Sequence, residues 1–198
     1  DRPMNRSDVL IIGAGPTGLV LALWLSKLGV RVRIIDKTSA PGTTSRALAV
    51  QARTLELYRQ LDLADTIVRN GHRVAAANFW VNGKPVAQLP LNRIGEGLTP
   101  YAFVEIFPQD EHERLLIERL EAYGVTVERD TTLESFEETG DGLTAHLRLP
   151  DGEQEICQAC YLAGCDGARS VVRKTLDTGF PGGTYQQIFY VADVRASG

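Results

Sequence analysis

The sequence lacks the features that mark nucleic-acid-binding, membrane-spanning and secreted proteins. Its 21 basic residues are outnumbered by 25 acidic ones, so a basic surface for phosphate backbones is not expected. No run of about 18 apolar residues suggests a transmembrane helix, and no secretory signal is recognised. Hydrophobic residues make up 43% of the chain, as in a globular protein with a packed core. We expect a cytoplasmic protein whose partners are small molecules.

Cysteine is scarce, and its spacing argues against a metal or redox site. Cys157, Cys160 and Cys165 lie close together, but the segment 152–165 is predicted to be a strand. Residues 157 and 160 then have opposite parity, and their side chains point to opposite faces of the sheet. They are poorly placed to share a metal or to form a disulfide, so the sequence predicts no metal centre.

The start of the chain has the pattern of a βαβ unit. An apolar run at 8–13 predicts a buried strand, and 16–28 predicts a helix with proline in its first turn. Residues 30–36 predict a second strand. Because short connections favour parallel pairing of such strands, the sequence predicts an α/β fold with a Rossmann-like parallel sheet.

The rest of the chain mixes helical and extended patterns. The Asn82-Gly83 pair predicts the turn of a β-hairpin, and Asp110 with Glu113 suggests a capping box. Helices are predicted at 51–61, at 110–123 and from Ser170. Strands are predicted at 77–81, 85–91, 125–128, 133–137, 143–149, 155–163 and 189–194.

A glycine-rich segment between the first strand and helix indicates nucleotide binding. It reads Gly13-Ala14-Gly15-Pro16-Thr17-Gly18, a GxGxxG pattern. The first glycine permits a tight turn, the second leaves room for a pyrophosphate, and the third lets the helix pack on the strand. The helix N-terminus offers free N–H groups and a positive dipole to phosphates. We assign all six residues to cofactor binding.

Asp36 narrows the kind of nucleotide. It ends the second predicted strand about 20 residues after the glycines, where a carboxylate accepts hydrogen bonds from ribose hydroxyls. An acid here disfavours a 2′-phosphate, so FAD or NAD is favoured over NADP in this pocket. The neighbouring Lys37 weakens that preference, because a cation can bind phosphate.

Further motifs favour FAD. In chain order they are Ser45-Arg46-Ala47-Leu48, Arg53-Thr54-Leu55-Glu56, Pro108-Gln109 with Glu113-Arg114, and Gly164-Cys165-Asp166-Gly167-Ala168-Arg169-Ser170-Val171-Val172-Arg173. This series resembles the single-component FAD-dependent aromatic hydroxylases, which include para-hydroxybenzoate hydroxylase, phenol hydroxylase and the polyketide hydroxylases. The resemblance runs along nearly the whole chain and implies a Rossmann-like FAD-binding domain.

The resemblance implies roles for five further site residues. Arg46 matches an arginine near the flavin pyrophosphate and ribityl chain, and Gln109 matches a glutamine that hydrogen-bonds the same region. A guanidinium and an amide are suitable donors to a diphosphate. Asp166 and Gly167 match a DG motif linked to both FAD and NADPH binding, with two companion arginines. Val127 matches a position whose backbone meets the adenine. The companions are Arg169 and Arg173.

The resemblance also implies a reaction. In the family, NADPH or NADH is a transient reductant of FAD, and a C4a-hydroperoxyflavin formed with O2 hydroxylates an aromatic ring. We expect an NAD(P)H-dependent FAD monooxygenase acting on a small aromatic or polyketide-like molecule. No catalytic residue is assigned, because the cofactor carries the chemistry. The alternatives are another FAD-dependent oxidoreductase on the same scaffold, such as a reductase or halogenase, or a non-catalytic nucleotide-binding fragment.

The domain organisation follows from the same comparison. The family's second flavin motif, a Gly-Asp pair toward the C-terminus, has no counterpart here, so we expect an N-terminal fragment that is inactive by itself. Residues 1–75 and 102–178 are assigned to the FAD-binding domain. Residues 76–101 and 179–198 are assigned to an incomplete substrate-binding β domain.

The other polar and aromatic residues are predicted to have structural roles. Trp24 and Trp80 are assigned to core packing. The histidines show no spacing typical of zinc sites, and one face of the helix at 110–123 is expected to be solvated. The histidines are His72, His112 and His146, and the acidic residues of that face are Glu111, Glu113, Glu118 and Glu121.

Overall fold

A computed structural model describes residues 6–42, 49–183 and 185–188. The first half contains β1 (Arg6–Ile12), α1 (Pro16–Lys27), β2 (Val32–Ile35), β3 (Ala49–Val50), α2 (Ala52–Arg59), α3 (Ala64–Asn70), β4 (His72–Val74), β5 (Ala76–Val81) and β6 (Lys84–Pro90). The second half contains β7 (Val104–Ile106), α4 (Gln109–Glu121), β8 (Thr132–Thr139), β9 (Gly142–Arg148), β10 (Gln154–Gly164), a 3₁₀ turn (Gly167–Arg169) and α5 (Val171–Thr175). The predicted strand at 189–194 lies outside the described residues.

The main sheet has five strands in the order β2-β1-β10-β9-β8. β1 pairs in parallel with both β2 and β10, which confirms the predicted βαβ unit. β9 is antiparallel to β10 and β8, because short turns join these three strands and return the chain beside itself. The sheet is therefore mixed rather than purely parallel. The predicted strand at 125–128 is reduced to one parallel bridge between Ile35 and Glu128.

The apolar run of β1 is explained by burial on both sheet faces. Val9 and Ile11 belong to a core cluster with helices α1 and α4, whereas Leu10 and Ile12 belong to a second cluster with β8, β9 and β10. A strand covered on both faces is apolar at successive positions rather than at alternate ones. The end of β1 is consequently a rigid support for the glycine loop that follows it.

Helix α4 packs its apolar stripe as predicted but begins differently. Leu116 and Leu120 are fully buried in the cluster that contains α1, and Leu115 packs against it. The predicted capping box is wrong, since the N-cap is Pro108 and no side chain caps the helix. Glu113 is only 6% exposed, so its assignment to a solvated face is also wrong.

The hairpin β5–β6 forms a separate two-stranded sheet. Its turn has positive φ at Asn82 and Gly83, which confirms the predicted Asn-Gly turn. Trp80 is 62% exposed, so its assignment to core packing is wrong within the described part of the chain. The strands of this hairpin pair only with each other there, which leaves Trp80 without an apolar layer above it. Trp24, by contrast, packs against the first core cluster.

The cysteines follow the predicted parity. Cys157 is buried in the second core cluster and Cys160 is partly exposed, and the described cysteines form no disulfide with one another. Among the described residues, no group of His, Cys, Asp or Glu side chains converges on a possible metal position. In the same residues, no helix combines the length and apolar character needed to cross a bilayer.

Candidate functional site

The glycine loop joins β1 to α1, and its three glycines are required for different reasons. Gly13 has φ +103°, and a Cβ there would clash with the carbonyl oxygen of Cys165. A Cβ at Gly18 would clash with the carbonyl oxygen of Gly13. Gly15 is different: its φ of −76° is open to any residue, and a Cβ would meet no described atom within 4 Å. Gly15 therefore borders open space at the N-terminus of α1.

That open space belongs to a cleft of about 400 Å³. The cleft lies where the carboxyl ends of β1, β2 and β10 meet, which is the usual ligand edge of a parallel sheet. Most of the residues predicted to bind the cofactor line it, namely Gly13, Gly15, Pro16, Thr17, Asp36, Lys37, Gln109, Asp166 and Gly167. The fold thus brings together residues that are up to 154 positions apart in the sequence (13 to 167).

Asp36 is held in place by the glycine loop and by its own turn. Its Oδ2 accepts a hydrogen bond from Ala14 N at 2.7 Å, and its Oδ1 accepts from Thr38 N at 2.8 Å and Thr38 Oγ1 at 2.6 Å. Burial acts to raise the pKa of Asp36, but these donors and nearby Arg129 lower it overall. Since a carboxylate oxygen has about two acceptor sites, Oδ2 keeps one for a ligand hydroxyl.

Arg129 is a site residue that the sequence analysis missed. Its Nη1 lies 3.9 Å from Asp36 Oδ1 and donates to Thr38 Oγ1 at 3.3 Å. Its Nη2 is buried and has no hydrogen-bond partner among the described residues. The two partners are 91 positions apart in the sequence, so no local pattern indicates this contact.

Gln109 and Glu113 form a polar pair beside the glycine loop. Gln109 Nε2 donates to Glu113 Oε1 at 2.8 Å, and Gly42 N donates to Glu113 Oε2 at 3.2 Å. Both side chains and Arg129 line a smaller cavity of about 230 Å³ that also reaches Gly15. A buried carboxylate therefore lies next to the predicted phosphate-binding residues.

Asp166 organises the turn that follows β10. Its Oδ1 accepts from Ser170 Oγ at 2.6 Å and its Oδ2 accepts from Val171 N at 2.6 Å. Ser170 Oγ in turn accepts from Arg173 N at 3.0 Å, which confirms the predicted helix start. Gly167 has φ +75°. The predicted DG motif is thus a turn in which Asp166 and Gly167 line the cleft.

Some of the predicted residues that the structure describes do not line this cleft. Val127 is 9% exposed, and its side chain packs into the first core cluster, so a role for its backbone stays a prediction. Arg46 lies outside the described residues. Ala14 and Gly18 belong to the glycine loop. Ala14 N donates to Asp36, and Gly18 packs against the carbonyl oxygen of Gly13. Cys165, which the sequence analysis treated as structural, lines the cleft, and burial raises its pKa.

A second cavity of about 490 Å³ adjoins the cleft along Pro16, Thr17 and Gln109. It lies between α1, α2 and α4, and most of its wall is apolar. His112 Nε2 lies 2.9 Å from Tyr58 Oη at its base, where burial lowers the pKa of His112 although the charge of Glu113 opposes the shift. Burial therefore favours the neutral form of the imidazole.

Comparisons with known proteins agree with this geometry. A family model described as an FAD binding domain matches residues 6–198. The chain is 42% identical over 169 residues to a 6-methylpretetramide 4-monooxygenase of Streptomyces rimosus, covering 85% of this chain and 30% of that protein.

Solved structures give the same picture. An aklavinone-11 hydroxylase in complex with FAD and aklavinone matches with a TM-score of 0.79 and 32% identity, over 86% of this chain and 35% of that one. A Diels-Alderase of pyrroindomycin biosynthesis matches with a TM-score of 0.70 and 33% identity, over 90% of this chain and 36% of that one. The chain spans about a third of the length of the relatives it matches.

Proposed function

The chain belongs to the FAD binding domain family, and we propose from this premise that it holds FAD in a monooxygenase that hydroxylates a small aromatic or polyketide-like molecule. Support comes from relatives that are named as monooxygenases, including one acting on 6-methylpretetramide and one acting on rifampicin. The proposed co-reactants are O2 and NADPH or NADH. A cytoplasmic location is part of the proposal, since free cysteines fit a reducing compartment.

The observation that carries the proposal is the pairing of open space with fixed polar groups in one cleft. Gly15 leaves room at the N-terminus of α1, where unpaired N–H groups and the helix dipole favour a diphosphate. Asp36 presents a carboxylate oxygen on the adjoining strand end. These features fit the pyrophosphate and the adenosine ribose of FAD, respectively.

The remaining residues fit the other half of the cofactor. Gln109 lines the main cleft and both neighbouring cavities, so its amide suits the ribityl-phosphate region, and the Asp166 turn closes the opposite side. When bound, FAD supplies the redox chemistry of oxygen transfer. The residues of this chain bind and orient it, and the apolar walls exclude water from its buried parts. Arg46 and the Val127 backbone are proposed as additional contacts.

The hairpin β5–β6 is proposed to belong to a separate substrate-binding layer. Phe79, Trp80, Val86 and Leu89 are each at least half exposed, and several large apolar side chains exposed on one hairpin suggest a binding or packing surface. This supports the assignment of residues 76–101 to a substrate-binding β domain and of 1–75 and 102–178 to the FAD-binding domain. Residues 179–198 are assigned to the former by the resemblance.

The proposal is tested by the reaction of the intact protein. We expect the purified protein to contain FAD and to oxidise NADPH or NADH faster when a polyketide-type phenol is added. Mass spectrometry of the product should show one oxygen atom from 18O2. A protein that retains no flavin and binds none when FAD is added would refute the proposal.

A second candidate function is favoured by one structural relative. The Diels-Alderase shares this fold at 33% identity, so the scaffold is compatible with a chain whose product gains no oxygen. The same 18O2 experiment separates the two candidates. A product formed without 18O, together with bound FAD, would favour the second candidate.

A further inference from the structure

Glu113 stands out because it is buried and, among the described residues, has no cationic partner in direct contact. Its side chain is 6% exposed, and the hydrogen bonds to it come from two neutral groups, the amide of Gln109 and the backbone N–H of Gly42. Burying a carboxylate costs several kcal/mol unless hydrogen bonds offset the loss of water. A glutamate at an exposed position of α4 would avoid this cost. A contribution to helix formation alone therefore does not explain why Glu113 is buried.

The two partners of Glu113 belong to different parts of the proposed FAD site. Gln109 begins α4 and lines the main cleft, whereas Gly42 follows the turn that starts at Asp36 and is 71 positions from Glu113. Each partner occupies its own carboxylate oxygen. The carboxylate therefore fixes the distance between the start of α4 and the segment after β2.

Holding Gln109 has a direct consequence for its amide. Because Gln109 Nε2 donates to Glu113 Oε1 at 2.8 Å, the amide cannot rotate freely, and much of its side-chain entropy is lost before any ligand arrives. Such preorganisation strengthens binding because the ordering cost does not recur on association.

We propose that Glu113 is a positioning residue for FAD, which holds the Gln109 amide and the Gly42 backbone in the geometry that receives the ribityl-phosphate half of the cofactor. The inference rests on the proposed function. Glu113 itself touches no cofactor atom in this account and acts through its two partners.

The test measures FAD affinity in the intact protein after flavin removal. Glu113→Ala should weaken FAD binding roughly tenfold, the loss typical of one charge-assisted hydrogen bond. Glu113→Gln should weaken it less, since one amide oxygen can still accept one of the two hydrogen bonds. Glu118→Gln, on an exposed position of α4, is the matched control and should leave the affinity unchanged.

A double-mutant cycle identifies the route of the effect. If Glu113 acts mainly through Gln109, Glu113→Ala in a Gln109→Ala background should change FAD affinity by less than about threefold. The affinity for AMP, which lacks the ribityl half, should change by less than about twofold in Glu113→Ala. A structural role alone would weaken AMP and FAD equally.

The outcomes separate this inference from the proposed function. If the wild-type protein binds no FAD, the proposed function fails. If wild type binds FAD and Glu113→Ala binds it as tightly as Glu118→Gln does, the positioning role is wrong. The positioning of Gln109 by Glu113 is wrong if the Glu113→Ala effect is fully retained in the Gln109→Ala background.

Discussion

At the scale of single residues, the three loop glycines differ in what a methyl group would meet. Gly13 and Gly18 are closed off by backbone carbonyls, whereas Gly15 faces open space. The first two are therefore required by the fold, whereas Gly15 is proposed to make room for the ligand. Within one six-residue motif, two glycines are therefore required for folding and a third is proposed to be required for binding.

We predict that Gly15→Ala folds normally but binds FAD at least tenfold more weakly, because the added methyl occupies the space left for the pyrophosphate. Gly18→Ala should instead lower the free energy of unfolding by about 1–3 kcal/mol, the usual cost of overpacking. Chemical denaturation and FAD titration of both variants check this. Equal loss of stability in the two variants would contradict the distinction.

At the residue scale, the sequence predicts which residues lie together only where the reason is local. The spacing of Gly13, Gly15 and Asp36 reflects one strand, one turn and one helix, so a single βαβ pattern predicts that they share the cleft. The contacts of Arg129 and Glu113 are with residues 91 and 71 positions away. Only the folded chain reveals those partners, and an acidic residue on a polar helix gives no sign of being buried.

At the scale of elements, Arg33 in β2 forms ion pairs with Glu155 in β10 and with Glu128, the residue that pairs with Ile35 in a parallel bridge. The guanidinium is 7% exposed and donates to both Glu128 and Glu155 at 2.7 Å. Burial acts to lower the pKa of Arg33, but the hydrogen bonds with the two carboxylates raise this pKa overall. The side chains of Glu128 and Glu155 are partly exposed, at 39% and 22%. If the ion pairs are broken, water can therefore solvate the two carboxylates more easily than the buried guanidinium.

This difference in exposure predicts which of two variants loses more stability. Removing both carboxylates as Glu128→Gln/Glu155→Gln leaves a buried, uncompensated guanidinium and should cost about 3–5 kcal/mol. Arg33→Met should cost less, because Glu128 and Glu155 can rehydrate. Urea denaturation of the two variants provides the measurement, and a larger loss for Arg33→Met would refute this reading of the network.

The small sheet β3-β7-β4 contains an unusual acid at its centre. Glu105 is fully buried, and neither carboxylate oxygen has a hydrogen-bond partner within the described residues. Burial raises its pKa, and the charges of Arg73 and His72 only partly oppose the shift. A Cβ at Gly71 would collide with this carboxylate, which explains the glycine there.

We predict that Glu105 makes stability fall as the pH rises. The unfolded chain ionises this group near its ordinary pKa of 4.5, while the folded protein keeps it protonated to higher pH. Its contribution is therefore complete below pH 4.5 and is lost as pH rises through the folded pKa.

The measurement is the free energy of unfolding between pH 4.5 and 8 for wild type and Glu105→Gln. The variant should show a flatter dependence on pH, and exposed Glu138→Gln should follow the wild type. Parallel curves for wild type and Glu105→Gln would show that the carboxylate does not titrate in this range.

The prediction of helices and strands was limited by the short length of some elements and by the residues that flank others. Helix α1 and the β5–β6 hairpin carry strong local patterns, and both were located from sequence to within two residues. Strands β4 and β7 have three residues each and α3 has seven, too few for a periodic pattern, and the sequence analysis missed them. The capping box failed because Pro108, not Asp110, precedes the first turn of α4.

At the scale of the whole molecule, the elements that carry the proposed FAD site meet at one edge of the main sheet. The ends of β1, β2 and β10, the start of α1 and the start of α4 all border the cleft. The sequence predicted this edge from motif order. The extension of the parallel sheet by the antiparallel strands β9 and β8 and the exposure of Trp80 depend on long-range packing and were not predicted.

The central claim is that this cleft is built for FAD, with Asp36 on the adenosine ribose. The most direct measurement is FAD titration of the intact, flavin-free protein at pH 7, comparing wild type with Asp36→Asn. The wild type should bind FAD with micromolar or lower Kd, and Asp36→Asn should bind roughly tenfold more weakly, because its amide replaces a charged acceptor. Equal affinity of the two proteins for FAD, or no binding by the wild type, would contradict the account.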